Sequence, residues 1–280
     1  MSKANAISMK LLEVSKKNNF NHQLLLIRFF QERLLYRLSV SAYKNKLLLK
    51  GGNLLYSWQG AEARPTVDID FAAQQLSNEA NTIKEIFTVI LAIDAHDEVQ
   101  FDTSTLTVTE INEQNEYNGI RLKVVANLGN IRQHLQIDIG FGDVVTPEPI
   151  FIDYPIILED FAIPNIVAYT METVIAEKLH AMIVLAQLNS RMKDFYDVYT
   201  IIQSLQFNNE TLKLAIIQTF ENRNTELNLD SVVFTEDFYQ NQQRQSMWYD
   251  YLKKINAEAI DLKDVMVIIK AKVYSIFFNT

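Results

Sequence analysis

Glycine and proline are scarce in this sequence, which contains only seven Gly and five Pro among 280 residues. An average protein contains roughly 12% of these two residues, and both interrupt helices. A chain with so few of them can form long helices, whereas disordered, collagen-like and turn-rich all-β architectures are excluded. The absence of cysteine also excludes disulfides, thiolate zinc sites and a cysteine nucleophile.

Hydrophobic periodicity divides the chain into a mixed first half and a helical second half. Residues 8–43 have the spacing of one or two amphipathic helices, and strand-like stretches alternate with helical ones from 46 to 141. Four prolines between 147 and 164 mark a linker, after which every segment has helical periodicity. The predicted parts are an N-terminal helical segment at 1–44, a core of sheet and helices at 45–160, and a helical domain at 161–280.

The sequence lacks the signals of a membrane or exported protein. No apolar run approaches the roughly 18 residues of a membrane span. The first 20 residues carry four lysines and no hydrophobic stretch of the kind found in signal peptides. Together with the absence of cysteine, these features lead us to expect a cytoplasmic protein without a membrane partner.

Charge is distributed unevenly along the chain. The formal net charge is −8, but residues 1–50 contain ten Lys or Arg and only two Glu, a balance of +8. Such a basic end on an acidic body could hold a polyanion through Arg28, Arg33 and Arg37. The alternative is that these arginines only solvate an amphipathic helix.

Three aspartates occupy equivalent positions in two alternating segments. Asp68 and Asp70 lie on the polar face of the strand predicted at 66–72, and Asp138 lies on that of 134–141. If these strands are neighbours, the three carboxylates converge, and their mutual repulsion favours a bound cation. Oxygen ligands without His or Cys suit Mg²⁺ or Mn²⁺, which can activate a hydroxyl and stabilise departing pyrophosphate. The alternative is an acidic strand end that only faces water.

Gly51 and Gly52 stand between a short strand and a helix, 16 residues before the first of the paired acids. Glycine lets the backbone approach a phosphate closely, and a helix N-terminus offers N–H groups and partial positive charge. The pair does not belong to a Walker loop, because the Gly-Lys-Ser/Thr ending is absent. The sequence therefore predicts either a phosphate-binding loop or a simple turn.

Two further candidates lie in the helical half. Lys178 falls within an apolar row, so its ammonium must reach either the surface or an anionic group. Asp194 and Asp197 share one face of the next helix, where they could form ordinary intrahelical ion pairs with Arg191 and Lys193.

Four motifs together resemble the AbiEii/AbiGii-type nucleotidyltransferase toxins of bacterial abortive-infection systems. They are Leu49-Lys50-Gly51-Gly52-Asn53-Leu54, the run from Arg64 to Asp70, the run from Glu172 to Ala181, and the run from Arg191 to Asp197. The resemblance implies an α+β fold: a polymerase-β-like minimal nucleotidyltransferase core, with a mixed sheet flanked by helices, and a helical C-terminal half. It also implies an NTP substrate with Mg²⁺ or Mn²⁺, and growth arrest by modification of an RNA, foremost the tRNA 3′ end. An antitoxin encoded by a neighbouring gene would be the partner.

The residue patterns and the resemblance together lead us to expect roles for individual residues. Asp68 and Asp70 would hold a metal bridged to the triphosphate, and Asp138 would complete the site as ligand or base. The implied nucleotide-binding residues are Gly51, Gly52, Asn53, Arg64 and Lys178. Arg64 would contact phosphate or pair with Asp70, and Lys178 would neutralise charge that develops during transfer. At least one of Asp194 and Asp197 would be a catalytic residue, and we favour Asp197.

Two other functions remain open from the sequence. The same transfer could be directed to a protein hydroxyl or to a small molecule such as an aminoglycoside. A non-catalytic binding module could also retain the fold, although a degenerate copy has no reason to keep three aligned carboxylates. The chain departs from many nucleotidyltransferases in having Gly52-Asn53 where they have Gly-Ser.

Overall fold

The computed structural model describes residues 2–113 and 117–278. The chain forms two compact units. The first comprises residues 1–142 and 150–168, and the second comprises residues 143–149 and 169–280. The N-terminal helices, which we predicted as a separate segment, lie within the first unit.

The first unit is built around a mixed sheet. In chain order it contains α1 (Lys3–Lys17), α2 (His22–Ser39), β1 (Leu47–Lys50), α3 (Gly51–Gln59), β2 (Asp68–Ala73), α4 (Ala80–Leu91), β3 (Val99–Glu113), β4 (Tyr117–Leu128), β5 (Ile131–Phe141), β6 (Ile150–Asp153) and β7 (Asn165–Ala168). In the described part of the chain the strand order is β3-β4-β5-β2-β1-β7-β6. Strand β2 runs parallel to β5 and β1 parallel to β7, whereas the other neighbours are antiparallel.

One face of the sheet is apolar because side chains alternate along each strand. Leu49, Phe71, Ile139 and Ile120 are register partners across β1, β2, β5 and β4, and each is at most 2% exposed. Helix α2 packs against β5 and β7, and α4 packs against β3. Each such fully buried side chain contributes about 1.5–3 kcal/mol, so this row fixes the register of the four strands.

Two details differ from the sequence prediction. The alternation of side chains predicts separate strands at 98–102 and 104–111, but these residues belong to one long strand, β3, whose pairing with β4 is irregular between Asp102 and Thr107. The proline-rich segment predicted as a linker contains β6, which pairs with β7 at the edge of the sheet. The prolines lie outside β6, where they cost the sheet no backbone hydrogen bond.

Two of the three arginines of α2 do not form the basic surface that the charge distribution suggested. Arg37 donates to both oxygens of Asp97, at 2.7 and 2.8 Å, and Arg33 lies 2.8 Å from Glu32. Both arginines are at most 2% exposed. For these two residues both alternatives, binding a polyanion and solvating the helix, are wrong, because each is buried against a carboxylate of the same unit. Arg28 is half-buried and lies over the ring of Tyr56.

The second unit is helical, as predicted. It contains α5 (Met171–Leu185), α6 (Met192–Ser204), α7 (Asn209–Asn222), α8 (Glu236–Tyr239), α9 (Gln242–Ile255) and α10 (Leu262–Phe278). Side chains of Thr170, Asn208 and Asn241 cap the first turns of α5, α7 and α9. Helices α5 and α7 pack together, and α10 packs on α6 and α7. Within the described ranges no helix has the length and apolar character needed to cross a membrane.

The buried pair on α2 predicts a pH-dependent stability. Burial raises the pKa of Glu32 to about 7, although Arg33 and the Ile157 N–H oppose the rise. Because this folded value exceeds the ordinary value of 4.5, the stabilisation from protonated Glu32 is complete below pH 4.5 and is lost as the pH rises through 7. Between pH 5 and 8, we expect the wild-type free energy of unfolding to fall by about 2.5 kcal/mol relative to Glu32→Gln.

Urea denaturation of both proteins at several pH values in this range measures that difference. Glu62, which is exposed, supplies the control: Glu62→Gln should keep the wild-type pH dependence. Parallel pH profiles for wild type and Glu32→Gln would contradict the assignment.

Candidate active site

A row of four charged side chains crosses the polar face of the sheet. Lys50 is the register partner of Asp70, Asp70 of Asp138, and Asp138 of Arg121. Register partners project from the same face, so the row has two carboxylates between two cationic residues. Asp68 lies two residues before Asp70 and therefore on the same face. The prediction that β2 and β5 are neighbours and bring the three carboxylates to one face is confirmed.

Asp138, however, already accepts hydrogen bonds from two side chains, those of Arg121 and Gln136. Arg121 Nε donates to Oδ1 at 2.8 Å and Arg121 Nη2 to Oδ2 at 2.7 Å, a charge-assisted bidentate pair. Gln136 Nε2 also donates to Oδ2, at 3.3 Å. Among the residues that the structure describes, no three His, Cys, Asp or Glu side chains are placed to hold a metal ion. Asp68, Asp70 and Asp138 therefore share one face without forming such a group there, and their role as metal ligands stays a prediction.

Positions 51 and 52 require glycine because side chains of neighbouring residues lie too close to admit a Cβ atom. Gly51 has φ +68°, and a Cβ at this position would lie 2.0 Å from Oδ2 of Asp70. A Cβ on Gly52 would lie 2.7 Å from the side chain of Thr66. The two glycines therefore allow the start of α3 to lie directly against β2 and its carboxylate.

This arrangement combines groups that attract opposite ligands. The N-terminus of α3 favours an anion, whereas the adjoining carboxylates of Asp68 and Asp70 favour a cation. A phosphate can approach both only if a cation lies between the phosphate and the carboxylates. The oxygen donors fit Mg²⁺ or Mn²⁺, which retain phosphate oxygens and water as further ligands.

Asn53 is buried at 1% exposure. Its Nδ2 donates to the carbonyl oxygen of Asp68 at 2.8 Å, and its Oδ1 accepts from the Tyr154 hydroxyl at 2.9 Å. The side chain thus ties α3 to the first residue of β2. We had predicted it as a phosphate donor, but the burial and these two bonds instead make its amide a support for the backbone of Asp68. Arg64 lies four residues before Asp68 in the connection to β2, and its predicted role stays a prediction.

In the second unit, the three residues predicted as site candidates lie together. Lys178 Nζ is 2.6 Å from Oδ1 of Asp194 and 2.9 Å from Oδ2 of Asp197. Arg191 Nε lies 2.7 Å from the other oxygen of Asp194, so that predicted intrahelical pair is confirmed. Burial would raise the pKa of Asp194, but Lys178 and Arg191 outweigh it and lower the pKa to about 2. Of the two alternatives for the Lys178 ammonium, the structure shows contact with anionic groups.

Sequence reasoning missed Arg121 and a second arginine, Arg223. Arg223 Nη2 lies 3.1 Å from Oδ1 of Asp143, and Arg223 Nη1 lies 3.0 Å from Nδ1 of His180. Burial and the charge of Arg223 lower the pKa of His180 to about 4. The imidazole is therefore neutral at pH 7, with Nδ1 accepting from Arg223 and Nε2 within 2.8 Å of the Thr225 hydroxyl. The alternation of β4 was the available signal for Arg121, but only the register identifies its partner.

The chain is similar to known nucleotidyltransferases in sequence and in fold. The family model for the nucleotidyl transferase AbiEii toxin of type IV toxin–antitoxin systems matches residues 33–270. The crystal structure of a candidate nucleotidyltransferase from H. pylori is similar at 17% identity and TM-score 0.49, covering 92% of this chain and 96% of that chain. The crystal structure of JHP933 from Helicobacter pylori is similar at 16% identity and TM-score 0.49, covering 91% and 92%. No match was found among curated protein sequences.

The contact of Gly51 with Asp70 can be tested against a matched glycine. Gly51 and Gly60 both have positive φ, but a Cβ on Gly60 would meet nothing within 4 Å. Backbone strain should cost each alanine variant about 1–2 kcal/mol. We expect Gly51→Ala to lower the free energy of unfolding by more than Gly60→Ala, because it must also displace the Asp70 side chain. Urea denaturation measures both, and equal losses would contradict the close contact.

The charge cluster of the second unit makes a different prediction. Lys178→Met should lower the free energy of unfolding by about 3 kcal/mol, because it leaves two buried carboxylates without their ammonium. Adding Asp194→Asn to this variant should recover part of the loss. Lys193 is exposed on α6, so Lys193→Met is the control. A Lys178→Met variant as stable as Lys193→Met in urea denaturation would refute the structural role.

Proposed function

Because the chain belongs to the AbiEii nucleotidyltransferase toxin family, we propose that it transfers a nucleotidyl group from an NTP to an RNA hydroxyl. The tRNA 3′ end is the foremost acceptor, and the transfer would use Mg²⁺ or Mn²⁺. The observation that carries the proposal is the contact between Gly51, at the start of α3, and the carboxylate of Asp70 on β2. That contact joins a phosphate-attracting helix end to a cation-attracting pair of aspartates.

Asp68 and Asp70 are the residues that would hold the cation. When bound, it would neutralise phosphate charge and activate the acceptor hydroxyl. The backbone of Gly51 and Gly52 would receive the triphosphate at the start of α3. Asn53 would keep Asp68 in position through the carbonyl bond at 2.8 Å. In the transfer, the acceptor oxygen bonds to the α-phosphorus, the bond to pyrophosphate breaks, and the hydroxyl proton passes to solvent water.

Arg121 engages both carboxylate oxygens of Asp138. A role for Asp138 as ligand or base therefore requires that this pair first opens. We therefore assign Asp138 to the pair with Arg121 while that pair is closed, and we assign the cation to the aspartates of β2. In the second unit, Lys178 remains our proposal for neutralising charge that develops during transfer, with Asp197 the favoured site residue of the two aspartates.

The RNA acceptor has support from the remaining basic surface of the first unit. The lysines of α1 at positions 3, 16 and 17 are exposed, and they retain part of the positive charge of residues 1–50. As a member of a type IV toxin–antitoxin family, the protein would act in the cytoplasm, arrest growth and be opposed by an antitoxin from a neighbouring gene.

The proposal predicts that both aspartates of β2, Asp68 and Asp70, are essential for nucleotidyl transfer. Asp68→Asn and Asp70→Asn should each reduce transfer by at least about 100-fold, because each removes a charge from the cation site, while circular dichroism stays unchanged. Asp94 is an exposed aspartate of the same unit, so Asp94→Asn should keep full activity. The assay incubates each NTP, labelled at the α-phosphate, with Mg²⁺ and a total lysate.

The labelled product identifies the acceptor, and the same NTP labelled at the γ-phosphate should leave it unlabelled. Label in RNA supports the proposal, whereas label in protein or in a small molecule supports transfer to another acceptor. Near-wild-type transfer by either Asn variant would contradict the assignment, and no label from any NTP would favour the non-catalytic module.

A further inference from the structure

The geometry of the pair formed by Arg121 and Asp138 distinguishes it from an incidental surface contact. The two residues are register partners on adjacent antiparallel strands, and the guanidinium meets both carboxylate oxygens. The side chains are only 31% and 20% exposed, and Gln136 supplies a third donor to the same carboxylate. The fork, the register and the added donor together engage both carboxylate oxygens of Asp138.

The position of this pair determines what it does to the site. Asp138 is also the register partner of Asp70 on β2, so two carboxylates stand side by side on parallel strands. Arg121 engages the second of these two carboxylates. With Arg121 in place, a cation that takes Asp138 must first break two charge-assisted hydrogen bonds, or lie next to a guanidinium that repels it.

A guanidinium binds phosphate with the same bidentate geometry with which it binds a carboxylate. A triphosphate that arrives at the start of α3 therefore offers Arg121 an alternative partner. Release of Arg121 from Asp138 would leave a carboxylate beside Asp70, and the cation accompanying the triphosphate could use both.

We propose that Arg121 couples nucleotide binding to metal binding by withholding Asp138 from the cation until a triphosphate draws the guanidinium away. The inference rests on the proposed function, since it takes the triphosphate and the cation as ligands of this face. It makes Arg121 a positioning residue that acts through Asp138. Coupling of this kind is reciprocal: the nucleotide strengthens metal binding by the factor by which the metal strengthens nucleotide binding.

The test measures Mn²⁺ binding to the full-length protein by electron paramagnetic resonance, with and without a non-hydrolysable NTP analogue. In wild type, the analogue should tighten Mn²⁺ binding by about 10-fold or more. Arg121→Met should bind Mn²⁺ about 10-fold more tightly than wild type without nucleotide, and the analogue should then have little further effect. Arg121→Lys keeps the charge but cannot form the bidentate pair, so its affinity for Mn²⁺ should lie between those of wild type and Arg121→Met. This variant replaces Arg121→Met in the test if the Met variant does not fold.

Lys123 provides the matched control. It lies two residues along β4, on the same face, and is the register partner of Gln136 rather than Asp138. Lys123→Met removes the same charge, so it should leave Mn²⁺ binding and its coupling to the nucleotide close to wild type. Adding Asp138→Asn to Arg121→Met should return nucleotide-free Mn²⁺ binding to the weak wild-type level.

The outcomes separate this inference from the proposed function. If neither Arg121 variant binds Mn²⁺ more tightly than Lys123→Met, the inference is refuted, even if Asp68→Asn and Asp70→Asn abolish transfer. If no NTP is transferred to any acceptor, the nucleotide-free Mn²⁺ comparison still decides whether Arg121 withholds Asp138. An unchanged nucleotide effect in Arg121→Met would also overturn the coupling.

Discussion

Two like charges stand directly opposite each other on parallel strands, and much of the first unit serves to make that arrangement stable. Asp70 and Asp138 are register partners, a placement that costs free energy unless other groups compensate. The hydrophobic row on the opposite face fixes the strands in this register, because a shift by one residue would bury the aspartates. Arg121 neutralises one carboxylate at the strand beyond. The sheet thus stabilises two adjacent carboxylates that an isolated pair of strands would not keep side by side.

Other buried charges of the molecule follow the same logic. On α2, Arg37 and Asp97 form a bidentate pair, and in the second unit Lys178 lies between two aspartates of α6. A buried charge is tolerated when it has a partner of opposite sign and its hydrogen-bonding capacity is used. These pairs explain why several cationic residues in a chain of net charge −8 are not available to a polyanion at its surface.

The sequence predicted the parts of this structure that depend on local periodicity. The alternation around Asp68 and Asp138 correctly predicted strands with one apolar and one acidic face, and the helical spacing after residue 169 correctly predicted the second unit. The family resemblance was confirmed by the matched family model. The failures concern partners distant in the chain. Arg37 and Asp97 are 60 residues apart, and no periodicity within α2 indicates that its arginine would be buried.

The same limit explains why the sequence predicted substrate contacts for cationic residues that the structure places in ion pairs. A guanidinium or ammonium that is to meet a phosphate must be held in place before the phosphate arrives, and a carboxylate is the group that can hold it. The sequence pattern of a substrate-binding cation is therefore also that of a buried ion pair.

What distinguishes the two is whether the pair lies beside a group that itself attracts phosphate. Arg121 meets this condition within the first unit, because its partner Asp138 adjoins Asp70, and Asp70 touches the start of α3. Arg37 does not, because its guanidinium is enclosed by Asp97 and by backbone carbonyls. Two arginines of equal charge, each paired with an aspartate, therefore differ in role, and the neighbouring helix end distinguishes them.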